Sequence, residues 1–163
     1  MKKFNTGLIV VEPRPEDYML GSFIPYQVVL PDGNWSKYFP RGERQKFRRI
    51  ETMACVSYAT NDSAETQINR MIKEGIIETE LIKDWIDENG DFNLSDRFLA
   101  KMSGTTENGN SLNNPPETLR KFGCCPEKMW PGSDEFSWYD YYRIPSKEAI
   151  AKAKKILDYF DFN

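Results

Sequence analysis

Cys55 stands three residues after Thr52, at the head of a stretch with helical spacing, and this makes it the strongest single candidate for chemistry in the chain. The unpaired amides and partial positive charge of a helix N-terminus favour a thiolate, which is the nucleophilic form of cysteine. A cysteine so placed is more commonly a small buried apolar residue, so position alone leaves both readings open. The count that limits its chemistry is zero: the 163 residues include no histidine. The chain therefore lacks the side chain best suited to proton transfer near neutrality, which is also the commonest metal ligand. Ser-His, Cys-His and His-metal mechanisms are unavailable to these residues acting alone.

Other chemistry-bearing residues read more plainly. Cys124 and Cys125 are adjacent, without the two-residue gap that lets both sulfurs reach one zinc, and no second pair completes four ligands. They are expected to be partly buried thiols beside a turn. Asp87-Glu88-Asn89-Gly90-Asp91 resembles the middle of a calcium loop, but aligning Gly90 with the loop's glycine puts Trp85 where the first carboxylate belongs. No metal or cofactor is expected. The 25 Asp and Glu residues show no spacing that marks an acid/base pair. Phe136, Trp138, Tyr139, Tyr141 and Tyr142 form an aromatic cluster, with core or interface packing as its default use.

The elements that must position these residues fit one domain, since a chain of this length buries about 70% of its unfolded surface around a single core. Apolar residues at 39% and charged residues at 29% describe an ordered globule. A net charge of -3 gives no basic face for displacing counterions from phosphates, so nucleic acid is not an expected partner. No run approaches the ~20 apolar residues of a membrane span. The start, with Leu8 to Val11 as its apolar run, is too short for a secretory signal. Three cysteines, an odd number, favour a reducing, cytoplasmic setting with free thiols.

Residues 1–50 read as an extended arm with strands, packed on a helical domain of residues 51–163. Leu8-Ile9-Val10-Val11 is a short extended run interrupted by Pro13 and Pro15, and Tyr26 to Leu30 is a second one, ending at a Pro31-Asp32-Gly33-Asn34 turn. Asn34 to Arg49 mixes aromatic with basic residues and reads as an arm laid over the core. The spacing predicts a long helix from about Met53 to Glu74, with Thr52 as N-cap, Ala64, Ile68, Met71 and Ile72 inward, and Gly75 past its end. Residues 76 to 88 read as a second helix with Ile77, Leu81, Trp85 and Ile82 inward. Ser95 caps a third and Pro115-Pro116 starts a fourth, closed by Gly123. Residues 124 to 145 read as irregular. Ser146 caps a last helix with Ile150, Ala153, Leu157 and Phe160 on its buried stripe.

In their order these pieces resemble the papain-like cysteine peptidases, in the divergent form found among phage-encoded proteins. Thr52-Met53-Ala54-Cys55-Val56-Ser57-Tyr58-Ala59 resembles the family's nucleophile segment, opening the long central helix. Asn93-Leu94-Ser95-Asp96-Arg97-Phe98-Leu99 is similar to its Leu-Ser-Glu-Gln helix start, and Glu107-Asn108-Gly109-Asn110-Ser111 to its Asn-Gly-Gly loop. The segment Glu117 to Pro131 then follows the family's helix, Tyr-Gly and Tyr-Pro order.

The resemblance implies an α+β, mainly helical fold, the left domain of a papain-like enzyme. It implies Cys55 as nucleophile, Gln45 as the oxyanion donor, and Gly109 and Asn110 as a wall of the substrate cleft. Two features depart from the family pattern. Gln45 lies farther upstream of Cys55 than usual, the family spacing falling on Arg49, and Asn110 replaces the second glycine, which is expected to reduce backbone access. The histidine half is also absent: residues 146–160 resemble the helix that precedes the second domain. Two functions are therefore expected. One is a peptidase half, inactive alone, completed by a second domain or chain that donates His. The other is a non-catalytic structural or interaction module, such as a component of a phage particle, with assembly partners met through the aromatic 130–142 segment.

Overall fold

The computed structural model describes residues 7–15 and 29–162. The fold is mainly helical, with α1 (Cys55–Lys73), α2 (Thr79–Ile82), α3 (Asp96–Met102), α4 (Asn114–Phe122), α5 (Trp138–Tyr141) and α6 (Lys147–Lys155). Among the described residues, extended chain pairs only through isolated bridges, including Leu8 with Asn110 and Leu94 with Pro126. Of the second expected strand, residues 26–28 lie outside the described residues. Its end, Leu30, enters a turn closed by the Gly33 amide on the Leu30 carbonyl at 3.0 Å.

α1 begins later than the spacing predicts. Thr52 is not its cap: the Thr52 hydroxyl donates to the Gln45 carbonyl at 3.0 Å, and the chain passes through Met53 at φ 55 before the helix opens at Cys55. A non-glycine residue at positive φ is uncommon, and here it turns the arm into the helix axis. The far end matches expectation, with Gly75 at φ 70 just beyond the last turn.

The buried face of α1 also differs from the expected one. Ile68 is buried, but Ala64, Met71 and Ile72 are only partly so, while Asn61, Glu65 and Asn69 are almost fully enclosed. These three polar residues, spaced at i, i+4 and i+8, face residues 91–96, the chain that leads into the start of α3. Asn61 Nδ2 donates to Asp96 at 2.9 Å, Glu65 accepts from the Leu94 amide at 2.6 Å, and Asn69 accepts from the Phe92 amide at 2.7 Å. The side chains thus satisfy backbone donors that a β-ladder would otherwise pair, in a place where burial makes an unmade hydrogen bond costly.

α3 packs on α1, and α4 packs on both. Ser95 caps α3 as expected, accepting from the Phe98 amide at 3.1 Å. The core between them holds Phe92, Leu94, Phe98, Leu99 and Leu119, with Ala149, Ala153 and Ile156 brought in by the C-terminal helix. Gly123 permits that approach, because a Cβ there would meet the Ala153 carbonyl at 2.0 Å. The expected second helix reduces to α2 and a 3₁₀ turn at Lys83–Trp85. Ile82 and Trp85 are buried there while Leu81 is 54% exposed, because the change of helix type shifts which residues face inward. Segment 124–145 is mostly irregular and contains α5, which opens with a capping box between Ser137 and Asp140.

Candidate functional site

Cys55 is the first residue of α1, half-buried and not in a disulfide. The backbone of Gly7 lies against it: a Cβ on Gly7 would come 3.3 Å from the Cys55 sulfur and 3.2 Å from the Met53 carbonyl oxygen. The opposite wall is the 106–110 turn, closed by the Gly109 amide on the Thr106 carbonyl at 2.8 Å. The Asn110 amide donates to the Gly7 carbonyl at 2.9 Å, and the Ile9 amide donates to the Asn110 carbonyl at 2.8 Å. Leu8 and Asn110 thereby form a parallel bridge. Gly109 has φ 93, and a Cβ on it would fall 1.7 Å from the Gly7 oxygen, so only glycine admits this approach. The site is a trench with a thiol on one side and a backbone donor and acceptor on the other, and the chain's own residues 7–9 run along it.

Gly109 and Asn110, the two cleft-wall residues expected from the sequence, both lie at this trench. The Asn110 backbone is occupied by residues 7–9 rather than covered by its own side chain. That side chain turns inward, Nδ2 donating at 3.1 Å to the Ser103 carbonyl, the Ser103 hydroxyl and the Thr105 hydroxyl, while Oδ1 accepts from the Ser111 amide and Asn114. The backbone N–H and C=O remain turned to the strand. Asn110 is a buried latch for its own loop, a role visible in the sequence only as a polar stretch.

Gln45 is engaged elsewhere. Its Nε2 donates to Glu51 Oε1 at 2.9 Å, and its carbonyl receives the Thr52 hydroxyl. Arg49, six residues before Cys55, pairs with Glu135 at 2.8 Å. Neither side chain is directed by these contacts toward Cys55. The donors that the fold itself supplies at this end of α1 are the first-turn amides, which have no intrahelical acceptor.

Tyr142 is the neighbour that sequence reasoning passed over as one ring in an aromatic group. Its hydroxyl donates to the Thr52 carbonyl at 2.5 Å, fixing the backbone just before Cys55. Burial raises its phenol far above the ordinary tyrosine range, with Tyr141 and Cys55 adding to the effect. It is a neutral donor at any physiological pH. Tyr141 and Tyr142 pack with Phe47, Ala54 and Tyr58, and Phe136 and Trp138 close the edge, whereas Tyr139 is 82% exposed. Arg97 holds the segment down: it donates to the carbonyls of Tyr141 at 2.7 Å, Pro131 at 3.1 Å and Asp140, and lies 4.5 Å from the ring centres of both Trp130 and Phe136. An arginine in the Leu-Ser-x-x helix gave no such signal.

The remaining candidates are structural. Cys124 and Cys125 are fully buried, which pushes the Cys124 thiol well up and the Cys125 thiol up to about 12. In the Asp87–Asp91 turn, Asp87 Oδ1 accepts from the amides of Asn89 and Asp91 at 2.8 and 3.0 Å. Among the described residues, no group of three His, Cys, Asp or Glu side chains could hold a metal ion. Among the described residues, no helix is long and apolar enough to cross a membrane. The chain matches no protein-family model, no curated protein and no solved structure.

Proposed function

We propose that this chain is the nucleophile-bearing half of a papain-like cysteine peptidase unit, with Cys55 as nucleophile and the Gly109–Asn110 backbone as the wall that pairs with an extended peptide. The observation that carries the reading is the placement of Gly7 between the Asn110 amide and the Cys55 sulfur. A peptide held in this trench has its backbone fixed by two hydrogen bonds while one residue lies beside the thiol. In the reaction Sγ would add to the scissile carbonyl carbon, the carbonyl oxygen would take the negative charge at the first-turn amides, and the C–N bond would break as the amine takes a proton. The thiol proton must leave to a base and return to that amine through an acid. No histidine is present to do either, which forfeits about 10²–10⁴-fold in rate. The reading therefore places the imidazole on a second domain or chain and assigns no turnover to these residues alone, in a cytoplasmic or virion setting.

A second reading, a non-catalytic interaction module of a larger assembly, is favoured by the same trench being filled by residues 7–9 and by the exposed Tyr139. A peptidyl electrophile such as a vinyl sulfone separates the two. Labelling of Cys55 faster than of a free model thiol at neutral pH, abolished in Cys55→Ala, supports the peptidase half. Labelling no faster than the model thiol in Ile9→Pro, which removes the amide that ties residues 7–9 to the Asn110 carbonyl and leaves the Gly109–Asn110 wall intact, refutes it. Cys124 and Cys125 serve as internal controls and should stay unlabelled.

A further inference from the structure

We propose that a second groove, between the 35–43 arm and α1, binds an alkylguanidinium group between the rings of Trp35 and Phe39 and the carboxylates of Asp62 and Glu43. The groove encloses about 530 Å³, with Thr66 and Gln67 at its floor and rim. Its composition is asymmetric: two aromatic faces on the arm side, two acids on the helix side, and no basic residue in the lining. Phe39 is 55% exposed, although large aromatic side chains on an arm otherwise anchored by the buried Tyr38 and Phe47 would be expected to pack inward.

Among the described residues, no ion pair reaches Asp62 or Glu43. Asp62 Oδ1 is buried without a hydrogen-bond partner, and so is Oε2 of Glu65, the next inward carboxylate on α1, itself 1% exposed. Glu43 accepts from Asn93 at 3.2 Å and shares a hydrogen bond with the buried Asp96 carboxyl, neither of which brings a positive charge. Arginines and lysines near in sequence are committed elsewhere: Arg41 to Asp91 and the Asn89 carbonyl, Arg44 to Asp134, Lys73 to Asp91, and Lys37 over the Tyr38 ring. Burial, reinforced by the charge of Glu43, raises the Asp62 carboxyl to about 6, as expected for an acid awaiting a cation.

The lining selects among cations. A metal ion would need more oxygen ligands than this wall offers, and ring faces supply none. An ammonium group is compact and strongly hydrated, so flat aromatic walls do little for it. A guanidinium is planar and weakly hydrated, stacks on aromatic faces, and donates in its plane to carboxylates, which matches this pairing of rings and acids. The group could be carried by a free alkylguanidine or by an arginine side chain in a peptide. The groove is open and large enough for either. This inference stands apart from the peptidase reading, since it uses no residue of the Cys55 trench.

The test is titration of the full chain with agmatine and, separately, with the peptides Gly-Gly-Arg-Gly-Gly and Gly-Gly-Lys-Gly-Gly, following the Trp35 indole N–H by NMR, assigned through Trp35→Phe. The expected result is a saturable shift with the arginine peptide or agmatine, and binding of the lysine peptide weaker by about fivefold or more. Asp62→Asn should weaken guanidinium binding about tenfold and Phe39→Ala several-fold. Phe39 is exposed, so its variant keeps the test decisive should Asp62→Asn perturb folding. Tighter binding of the peptide than of agmatine identifies a protein-borne arginine as the ligand, and the reverse identifies a free alkylguanidine. No shift at about 10 mM ligand, a concentration that would reveal even millimolar binding, overturns the proposal. So does equal binding of the lysine and arginine peptides, or binding indifferent to Phe39→Ala.

Discussion

Gly7 and Cys55 are in van der Waals apposition, with room for no side chain between the backbone of one and the sulfur of the other beyond a tightly fitted methyl group. The contact is made from the far side, because Gly7 is held by the Asn110 amide across the trench. Access to the thiol and integrity of the Leu8–Asn110 bridge are therefore one property.

Gly109→Ala tests that linkage. The added methyl would fall 1.7 Å from the Gly7 oxygen, so the strand must leave rather than shift. Alkylation of Cys55 by iodoacetamide should accelerate about tenfold, since protection of a thiol by a locally displaced strand scales with the population of the open form. Hydrogen exchange at the Ile9 amide should rise in parallel. Exchange that rises while the alkylation rate holds would mean that the strand does not shield the sulfur.

Asn110→Gly removes the buried side chain that latches the 103–114 loop, and the outcome expected is loss of stability. The side-chain amide of Asn110 is buried and binds Ser103, Thr105 and Asn114, all of which lose a partner. A cost on the order of 2–3 kcal/mol follows from unmade buried hydrogen bonds. Thermal unfolding checks it, and a neutral or higher melting temperature would contradict the latch.

Arg97→Lys keeps the charge but not the fork that reaches three carbonyls or the plane that stacks between Trp130 and Phe136. The expected loss is on the order of 3 kcal/mol, lowering the melting temperature by about 6–12 °C for a chain of this size. Near-ultraviolet dichroism from the 130–142 aromatics should weaken before helical signal does.

Stability should fall as pH rises through neutrality. Burial pushes Glu127 up to about 8, and pushes Glu65 and Asp96 well above the carboxylate range, with neighbouring acids adding to each. Groups that hold protons more tightly when folded contribute stability that is complete below their unfolded values, about pH 4, and is lost as pH climbs through the folded ones. Glu127→Gln can still accept from the Gly132 amide, the bond Glu127 makes at 3.2 Å. It should raise the melting temperature at pH 8 by several degrees and change it little near pH 4. An unchanged difference between the two pH values would show that Glu127 titrates normally.

What was legible in the sequence follows from which residues obey local rules. Ser95, Ser146, Gly75 and Gly123 act at helix ends where their side chains or their freedom at positive φ act locally, and those boundaries agree with the structure. The inward face of α1 was not legible, because Asn61, Glu65 and Asn69 carry the periodicity of a wet face and are buried only by partners 23 to 35 residues away. Thr52 failed as a cap for a similar reason: a tertiary acceptor, the Gln45 carbonyl, outcompeted the helix for its hydroxyl. At the trench, Cys55 and Gly109 stood out by residue type. The part played by Gly7 depends on a long-range pairing that no local pattern announces.

The polar inner face of α1 also bears on how the molecule assembles. A helix whose enclosed side is Asn61, Glu65 and Asn69 gains little from collapse by itself, and its hydrogen bonds are redeemed only when segment 91–96 arrives. Closing that loop costs entropy before any of the three contacts repays it. Docking of 91–96 should thus be the event that commits the chain, and α1 should gain exchange protection in the same step as the Phe92 and Leu94 amides rather than ahead of them.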